Sequence, residues 1–335
     1  MESKEIREIS LEELKLYTDN FSQEKFVGNF QFGKVYRGQI GDSDVIVKIW
    51  LQTDLYWCNP GDNEARLDEE LQLQTDPRIK SHPNLAKLIG YCLEGQLGVV
   101  YDLNPVDTLR TFILKDDFPW SQRIKVAHQF ACLLKFLHAP CPPLLPYLIR
   151  NLEATHFLLD KDYNLVLYDF GMMSGGVLPE RSKLPPGPVC RFMTLYGCYG
   201  YIDPYPSQVD HWYEESDVWA FGVVLLGLIS KRVFIVEDHA EEYSIRSDSL
   251  LIDLWAVKEH ERRRLLYGDK ASLVHENLEV DCGFEPIDGI EITKLAMQCI
   301  EYFFEDRPTM EQVVQRLSEL HVLKHPFETW ASSRL

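Results

Sequence analysis

The side chains best suited to chemistry lie in three separate strings. A glycine-bearing turn, residues 28–33 (GNFQFG), stands between two predicted strands, and the strand after them ends in Lys48. A lysine in an apolar strand is unfavourable unless its ammonium reaches a partner. Further along, the apolar run 165–168 leads into Asp169. Alone, the turn is equally consistent with a plain hairpin, and neither the lysine nor the aspartate is specific by itself; only their order and spacing are informative.

The predicted elements that position these groups are mainly strands before residue 104 and mainly helices after it. Residues 10–21 are predicted to form an amphipathic helix that opens with a capping box. Residues 26–102 are predicted to form five strands and one helix, the latter near 66–75, which together make a small α+β unit. Beyond it we predict long helices with buried faces. These helices are predicted at residues 124–138, 218–229, 292–303 and 310–323.

Charge and composition exclude several classes of function. The chain has 335 residues, with 34 Lys and Arg against 52 Asp and Glu, a formal net charge of −18. This acidity argues against nucleic acid or an anionic membrane as the main partner. The longest apolar run, residues 218–229, is too short to cross a bilayer, so we expect no integral membrane segment. The eight cysteines show no metal-binding spacing, which favours reduced thiols in a cytosolic protein.

Two later strings, residues 216–222 (SDVWAFG) and 306–309 (DRPT), follow the turn, Lys48 and Asp169 in the chain. The order and spacing of the whole set are informative. The set resembles a protein kinase. The lead-in 10–22 and the string 82–92 (HPNLAKLIGYC) narrow the resemblance to plant receptor-like cytoplasmic kinases, of the group related to Pelle and the interleukin-receptor-associated kinases. The resemblance covers about residues 10–323. It implies an α+β, bilobal fold with a small five-stranded N-lobe that carries one main helix, and a larger, mainly helical C-lobe.

The resemblance also implies a division of the chain. Residues 1–20 are expected to be a lead-in helix and residues 21–323 a protein kinase-like domain. Within that domain the N-lobe is expected at 21–104 and the C-lobe at 105–323. Residues 324–335 remain as a C-terminal tail.

In this family, phosphoryl transfer needs cradled phosphates, a held metal ion and a carboxylate that orients the nucleophile. The implied nucleotide-binding residues are Gly28, Gly33, Lys48, Glu70 and Asp169. Among these, Glu70 is the expected ion-pair partner of Lys48, with Glu69 as the alternative, and Asp169 is the expected Mg²⁺ ligand. ATP and Mg²⁺ are therefore the implied cofactors. Phe30 replaces the middle glycine of the turn and obstructs a close approach of phosphates to the backbone.

The catalytic loop departs from the family pattern. Residues 149–156 (IRNLEATH) stand where a kinase has His-Arg-Asp-Leu-Lys-x-x-Asn. Asn151 replaces the catalytic base, and an amide cannot accept the proton of the substrate hydroxyl. Glu153 replaces a lysine, and a carboxylate about 4 Å from the phosphoryl group repels it by up to roughly 4 kcal/mol at an effective dielectric near 20. His156 replaces the second metal ligand, although Mg²⁺ prefers oxygen donors; a packed core histidine is the favoured interpretation.

The segment that follows departs as well. Cys198 stands where the substrate-docking loop usually has a threonine. Residues 203–205 (DPY) stand where Ala-Pro-Glu is expected, so Arg307 lacks its usual glutamate partner. Asp217, which in the family holds the backbone of the catalytic loop, is retained. The expectation is that scaffold residues remain while chemical ones are lost.

These losses favour a pseudokinase, a kinase-fold adaptor, decoy or allosteric partner in plant signalling, including immune signalling, with ATP binding weak or absent. Two alternatives stay open. One is an active serine/threonine kinase that transfers the ATP γ-phosphate by an altered mechanism, and the other is a nucleotide-binding switch without phosphotransfer. The implied partners are a receptor kinase, an active kinase or an intracellular immune receptor. The implied location is the cytoplasm, with peripheral attachment to the plasma membrane through a partner.

Overall fold

A computed structural model places most of the chain. It describes residues 6–51, 61–150, 152–178, 198, 200–204, 213–234 and 251–324. Asn151, which stands at the position of the catalytic base, lies outside the described residues.

The described residues form nine strands, eleven α-helices and four short 3-10 helices. The strands are β1 (Arg7–Glu8), β2 (Phe26–Phe30), β3 (Gly33–Ile40), β4 (Ser43–Trp50), β5 (Leu88–Cys92), β6 (Gly98–Tyr101), β7 (Asp107–Thr108), β8 (Phe157–Leu159) and β9 (Leu165–Leu167). The helices are α1 (Leu11–Tyr17), α2 (Asp62–Leu73), α3 (Pro77–Ser81), α4 (Leu109–Leu114), α5 (Trp120–His138), α6 (Glu214–Ser230), α7 (Ile252–Tyr267), α8 (Glu276–Glu279), α9 (Pro286–Cys299), α10 (Met310–Ser318) and α11 (His321–Lys324).

The chain divides into two compact units, which we call the sheet unit and the helical unit. The sheet unit takes its described residues from Met1–Leu109, Pro140–Asn151 and Thr155–Gly197. The helical unit takes its described residues from Arg110–Ala139, Leu152–Ala154 and Cys198–Leu335.

The sheet unit contains a six-stranded sheet in the order β1-β5-β6-β4-β3-β2 and a smaller sheet of β7, β8 and β9. All five strands predicted between residues 26 and 102 are present. The sixth, β1, runs parallel to β5, with Arg7 opposite Gly90. A Cβ atom at Gly90 would lie 2.1 Å from the Cδ1 atom of Ile9, so a side chain there would have to displace the buried side chain of Ile9.

The lead-in helix forms as its sequence predicts. Ser10 accepts a hydrogen bond from the backbone N–H of Glu13, and the Glu13 carboxylate accepts one from the backbone N–H of Ser10. This reciprocal capping box fixes the start of α1. Leu14 and Tyr17 then bury one face of the helix in the core of the sheet unit.

The helical unit differs from the prediction mainly in helix ends. Helix α9 begins six residues before the predicted start, at Pro286, because proline suits the first turn of a helix. The predicted helix 310–323 is divided into α10 and α11. The carboxylate of Asp288 accepts the backbone N–H groups of His321 and Val322, which starts a new helical turn there. In the described part of the chain, no helix is long and apolar enough to span a membrane.

A buried cation holds the helical unit together. Arg123 on α5 is fully buried, and its guanidinium donates hydrogen bonds to four backbone carbonyl groups. These carbonyls belong to Ile113, Lys115, Phe118 and Leu228. Burial lowers the pKa of Arg123 to about 10, so the side chain stays charged at neutral pH. The partners include carbonyl groups near the C-terminal ends of α4 and α6, where a cation is favourable.

Replacing Arg123 is expected to destabilise the protein strongly. Arg123→Met keeps an apolar side chain of similar length but leaves buried carbonyl groups unsatisfied, at about 1–3 kcal/mol for each group that water cannot reach. We expect a loss of at least about 3 kcal/mol in the free energy of unfolding, measured by urea denaturation. The control is Lys135→Met on the same helix, where the exposed pair with Glu311 contributes at most about 1 kcal/mol. Equal losses in both variants would contradict this account.

Candidate functional site

The candidate site is built around a lysine in the middle of the large sheet. β4 lies between β3 and β6, with Lys48 opposite Val35 on one side and Val99 on the other. The last six residues of β4 are all buried, and Lys48 is fully buried among them. An ammonium in such a place needs acceptors supplied by the protein.

Three acceptors surround the ammonium. The Nζ atom of Lys48 donates to the Oε2 atom of Glu70 at 2.7 Å, to the Oδ1 atom of Asp169 at 3.1 Å and to the carbonyl oxygen of Tyr168 at 3.3 Å. An ammonium has three N–H donors, so this set uses all of them. Of the two acids considered from the sequence, the structure places Glu70 against Lys48.

Glu70 reaches the lysine because α2 buries one face. Leu67, Glu70 and Leu73, spaced three residues apart, are the buried positions of this helix. Burial raises the pKa of Glu70 to about 7, even though Lys48 pulls it down. The second carboxylate oxygen of Glu70 is buried and has no hydrogen-bond partner among the described residues. Burial therefore disfavours the charged form of Glu70 more than Lys48 favours it.

Asp169 is the strongly ionised acid. Burial alone would raise its pKa, but the charges of Lys48 and His156 outweigh that effect and hold the pKa below its ordinary value. Its Oδ1 atom also accepts the backbone N–H of Gly171 at 3.2 Å, and its Oδ2 atom lies 3.4 Å from the Nε2 atom of His156. His156, in the turn that precedes β8, is fully buried. The structure thus brings together Lys48, Glu70, Asp169 and His156, which we call the lysine cluster.

Aromatic rings close the cluster on its other side. The Nζ atom of Lys48 lies 4.9 Å from the ring centroid of Phe30, 4.8 Å from that of Trp50 and 5.9 Å from that of Phe170. The rings of Phe30 and Trp50 meet edge to face, with centroids 6.2 Å apart. Both side chains are buried. The side chain in the middle of the glycine-bearing turn therefore lies over the ammonium.

The two glycines of the turn have different surroundings. A Cβ atom at Gly33 would lie 1.9 Å from the carbonyl oxygen of Ile49, so β3 and β4 approach too closely there for any other residue. A Cβ atom at Gly28 would lie 3.6 Å from the Cγ2 atom of Thr108, an ordinary contact. The packing of the sheet explains Gly33 without any ligand, whereas it gives no steric reason for Gly28.

Sequence reasoning did not find every member of this site. Trp50 was not among the candidates, although side chains two apart in a strand share a face, so its alternation with Lys48 was an available signal. The carbonyl group of Tyr168 gave no signal, since only the fold shows where a backbone acceptor points. Glu153 belongs to the helical unit, where burial first and the charge of Glu153 second raise the pKa of Tyr201.

Arg307 is paired, contrary to what the loss of its glutamate suggests. Its guanidinium donates to both carboxylate oxygens of Asp203, at 2.6 and 2.8 Å, and both side chains are buried. Asp203 stands two residues before Tyr205, the position where the family has glutamate. The shorter acid thus supplies the ion pair from a neighbouring position. Asp217, also in the helical unit, lies 3.1 Å from the Nε2 atom of His138.

Comparisons with known proteins identify the family. A sequence model of the family "Protein tyrosine and serine/threonine kinase" matches residues 21–234. The chain is 31% identical to the serine/threonine-protein kinase BIK1 of Arabidopsis thaliana, over 96% of this chain and 78% of that protein. It is 31% identical to the serine/threonine-protein kinase PBL34 (99% and 66%) and 30% identical to wall-associated receptor kinase-like 14 (92% and 40%), both of Arabidopsis thaliana. The chain spans less than two thirds of these last two relatives. The predicted fold class, α+β with a sheet-containing N-lobe and a helical C-lobe, is confirmed.

The contrast between the two glycines gives a testable prediction. Gly33→Ala forces a Cβ atom against the backbone of β4, and we expect a loss of about 1–3 kcal/mol in the free energy of unfolding. Gly28→Ala is the matched control and is expected to stay within about 0.5 kcal/mol of the unmodified protein. Urea denaturation of both variants measures the difference, and a larger loss for Gly28→Ala would show that this packing account is wrong.

Proposed function

This chain belongs to the protein kinase family and is related to plant receptor-like cytoplasmic kinases, and we propose that it acts there as a pseudokinase, through binding to proteins rather than through phosphotransfer. One observation carries the proposal. Lys48, the residue that should contact nucleotide phosphates, already uses all three N–H donors within the protein and lies under the ring of Phe30.

The lysine cluster does not fit a triphosphate as it stands. A phosphate oxygen needs an N–H donor of Lys48, so it would have to displace Glu70, Asp169 or a carbonyl group, and it would have to move the buried ring of Phe30. Each displacement leaves a buried polar group without its partner, which costs about 1–3 kcal/mol for a neutral group and more for a charged one. These costs support weak or absent ATP binding.

The cluster is equally poor as a magnesium site. Asp169 offers a carboxylate, but its Oδ1 atom serves Lys48 and the backbone N–H of Gly171, and its Oδ2 atom faces His156. Mg²⁺ prefers oxygen ligands in near-octahedral geometry and keeps several waters. An imidazole at the second ligand position, inside a fully buried site, meets none of these needs. The donor set supports the proposal that Mg²⁺ does not bind here as it does in an active kinase.

The catalytic loop adds a chemical argument from the sequence. Asn151 cannot act as a base, and Glu153 places negative charge where the family has positive charge. Groups that act together in catalysis fail together, so the loss of both residues along with the metal ligand is harder to overcome than any single replacement. We propose that no residue of this loop is catalytic.

The proposed partners follow from the relationship to signalling kinases. We propose that the chain binds a receptor kinase, an active kinase or an intracellular immune receptor, as an adaptor, decoy or allosteric partner in plant defence signalling. In this proposal the protein is cytoplasmic and reaches the plasma membrane only through its partner. The acidic net charge of −18 favours protein partners over nucleic acid.

A nucleotide-binding switch is the second candidate, and one observation favours it. The 2.7 Å ion pair between Lys48 and Glu70 is formed, and in the kinase family this lysine contacts the nucleotide phosphates while it pairs with that glutamate. If Phe30 turned away, this pair and Asp169 would offer a partial phosphate site. An active serine/threonine kinase with an altered mechanism is the third candidate.

A combined binding and activity measurement tests these candidates. The purified protein is heated with and without ATP and Mg²⁺, and incorporation of labelled phosphate is followed in parallel, with Lys48→Met as the control. We expect no incorporation and no change in Tm on adding ATP. Incorporation that Lys48→Met abolishes would overturn the pseudokinase proposal. Stabilisation by ATP without incorporation would favour the switch.

The proposal that the ring of Phe30 blocks phosphate from Lys48 has a separate test. Phe30→Gly removes the ring above the ammonium, so we expect ATP to raise the Tm of this variant but not that of the unmodified protein. The gain should disappear in the double variant Phe30→Gly/Lys48→Met, because the phosphate contact is lost. Nucleotide binding that is absent in both variants would show that the donors of Lys48, and not the ring, close the site.

A further inference from the structure

We propose that the loop between α9 and α10, residues 301–306 (EYFFED), is a docking surface for a positively charged, arginine-rich segment of a partner protein. We call these residues the α9–α10 loop. This inference deepens the proposed function, because it names one surface through which a pseudokinase would act and the chemistry of what binds there.

The loop exposes aromatic rings that a folded protein normally covers. Tyr302 is 42% exposed and Phe303 57% exposed, and their rings meet edge to face with centroids 5.3 Å apart. The third ring of the loop, Phe304, turns inward and stacks on Tyr213 at 5.3 Å with the planes nearly parallel. One ring thus anchors the loop while two face solvent, and exposed aromatic side chains are typical of binding hot spots.

Carboxylates flank the exposed rings in the sequence. Glu301 precedes the aromatic run, Glu305 and Asp306 follow it, and all three are exposed. A guanidinium group is attracted both to the face of an aromatic ring and to a carboxylate. The combination of two exposed rings and three exposed carboxylates therefore complements an arginine-rich segment and repels an acidic one.

The loop is held in place before any partner arrives. Arg307 donates to the carbonyl oxygens of Glu301 and Tyr302, at 2.7 and 3.1 Å, and to that of Glu215 at the start of α6. Its remaining donors are held by the carboxylate of Asp203. A loop fixed in this way loses little conformational entropy on binding, so its rings are preorganised.

The pair between Asp203 and Arg307 therefore has a second consequence. It ties the shape of the α9–α10 loop to residue 203, which follows the segment where a kinase binds its protein substrate. In this chain, the same ion pair that replaces the family's glutamate pairing supports an outward-facing aromatic surface.

The test uses the full chain and a fluorescein-labelled peptide of alternating Arg and Ser, followed by fluorescence anisotropy. A peptide of alternating Glu and Ser is the charge-reversed probe. We expect the Arg peptide to bind, the Glu peptide not to bind, and the variant Tyr302→Ser/Phe303→Ser to weaken binding by about tenfold. Removal of the carboxylates, in Glu301→Gln/Glu305→Gln, should weaken binding to a similar degree.

Matched controls separate this surface from general acidity. Leu265→Ser/Leu266→Ser removes two exposed apolar side chains of α7, and Glu276→Gln/Glu279→Gln removes two exposed carboxylates of α8. Neither should change the affinity. If either control weakens binding as much as the loop variants, or if the loop variants leave the affinity unchanged, the proposal is wrong. Sedimentation velocity adds a further outcome: a loop variant that dissociates a dimer would show that the occupant is a second copy of the chain and overturn the proposal.

The ion pair between Asp203 and Arg307 allows an independent test of the docking surface. Asp203→Asn keeps both exposed rings but weakens the grip of Arg307, so binding of the Arg peptide should fall several-fold, and Asp203→Glu should recover most of it. Unchanged binding in Asp203→Asn would contradict the preorganised loop. These results do not depend on nucleotide: phosphate incorporation would overturn the pseudokinase proposal and leave the docking surface standing, while loss of the surface would leave that proposal intact.

Discussion

A charged lysine in the centre of a sheet is the constraint on which the sheet unit depends. The ammonium of Lys48 is fully buried, so the protein must supply opposite charge and acceptors at short range. It supplies two carboxylates for one cation, and their environments separate them. His156 and the backbone N–H of Gly171 add to the effect of Lys48 on Asp169 and hold its pKa below the ordinary value. Lys48 alone favours the charged form of Glu70, and burial raises the pKa of Glu70 to about 7. The proximity of α2 and of the strand end at Tyr168 to β4 follows from this requirement.

The helical unit also buries two cations, Arg123 and Arg307, and it supplies their acceptors in two different ways. Arg123 is buried, and its guanidinium donates to four backbone carbonyl groups, two of them near the C-terminal ends of α4 and α6. Arg307 is buried with the full carboxylate of Asp203 and also gathers carbonyl groups from two other segments. The guanidinium group suits both roles because its five donors have a fixed planar geometry. Each arginine joins segments that are distant in sequence, so each supports a tertiary arrangement rather than a single helix.

The features that could be predicted from the sequence are those that depend on a local sequence pattern which the tertiary structure keeps. Strand alternation, the capping box at Ser10 and the pairing of Lys48 with an acid of α2 all follow from short-range rules. Three features did not follow. β1 is only two residues long, and the space that a side chain at position 90 would need is occupied by Ile9. The break between α10 and α11 depends on Asp288, which is distant in sequence. The acid that pairs with Arg307, Asp203, stands two residues before the position where the family has glutamate. A comparison with the family motif, position by position, shows that the glutamate is missing but not that a nearby acid replaces it.

The same physics gives the residues of the nucleotide site a reason to be retained whether or not the chain transfers phosphate. Removing one partner of a buried ion pair typically costs 3–5 kcal/mol, because an uncompensated charge remains. Against a total stability of about 5–15 kcal/mol, that loss is severe. Lys48, Glu70 and Asp169 therefore have a structural reason to stay together, whether or not a nucleotide binds. Phe30, in the middle of the glycine-bearing turn, contributes a ring to the lysine cluster and no charge. Folding stability alone is thus a reason to retain the buried ion pairs, so the presence of Lys48 is weak support for catalysis.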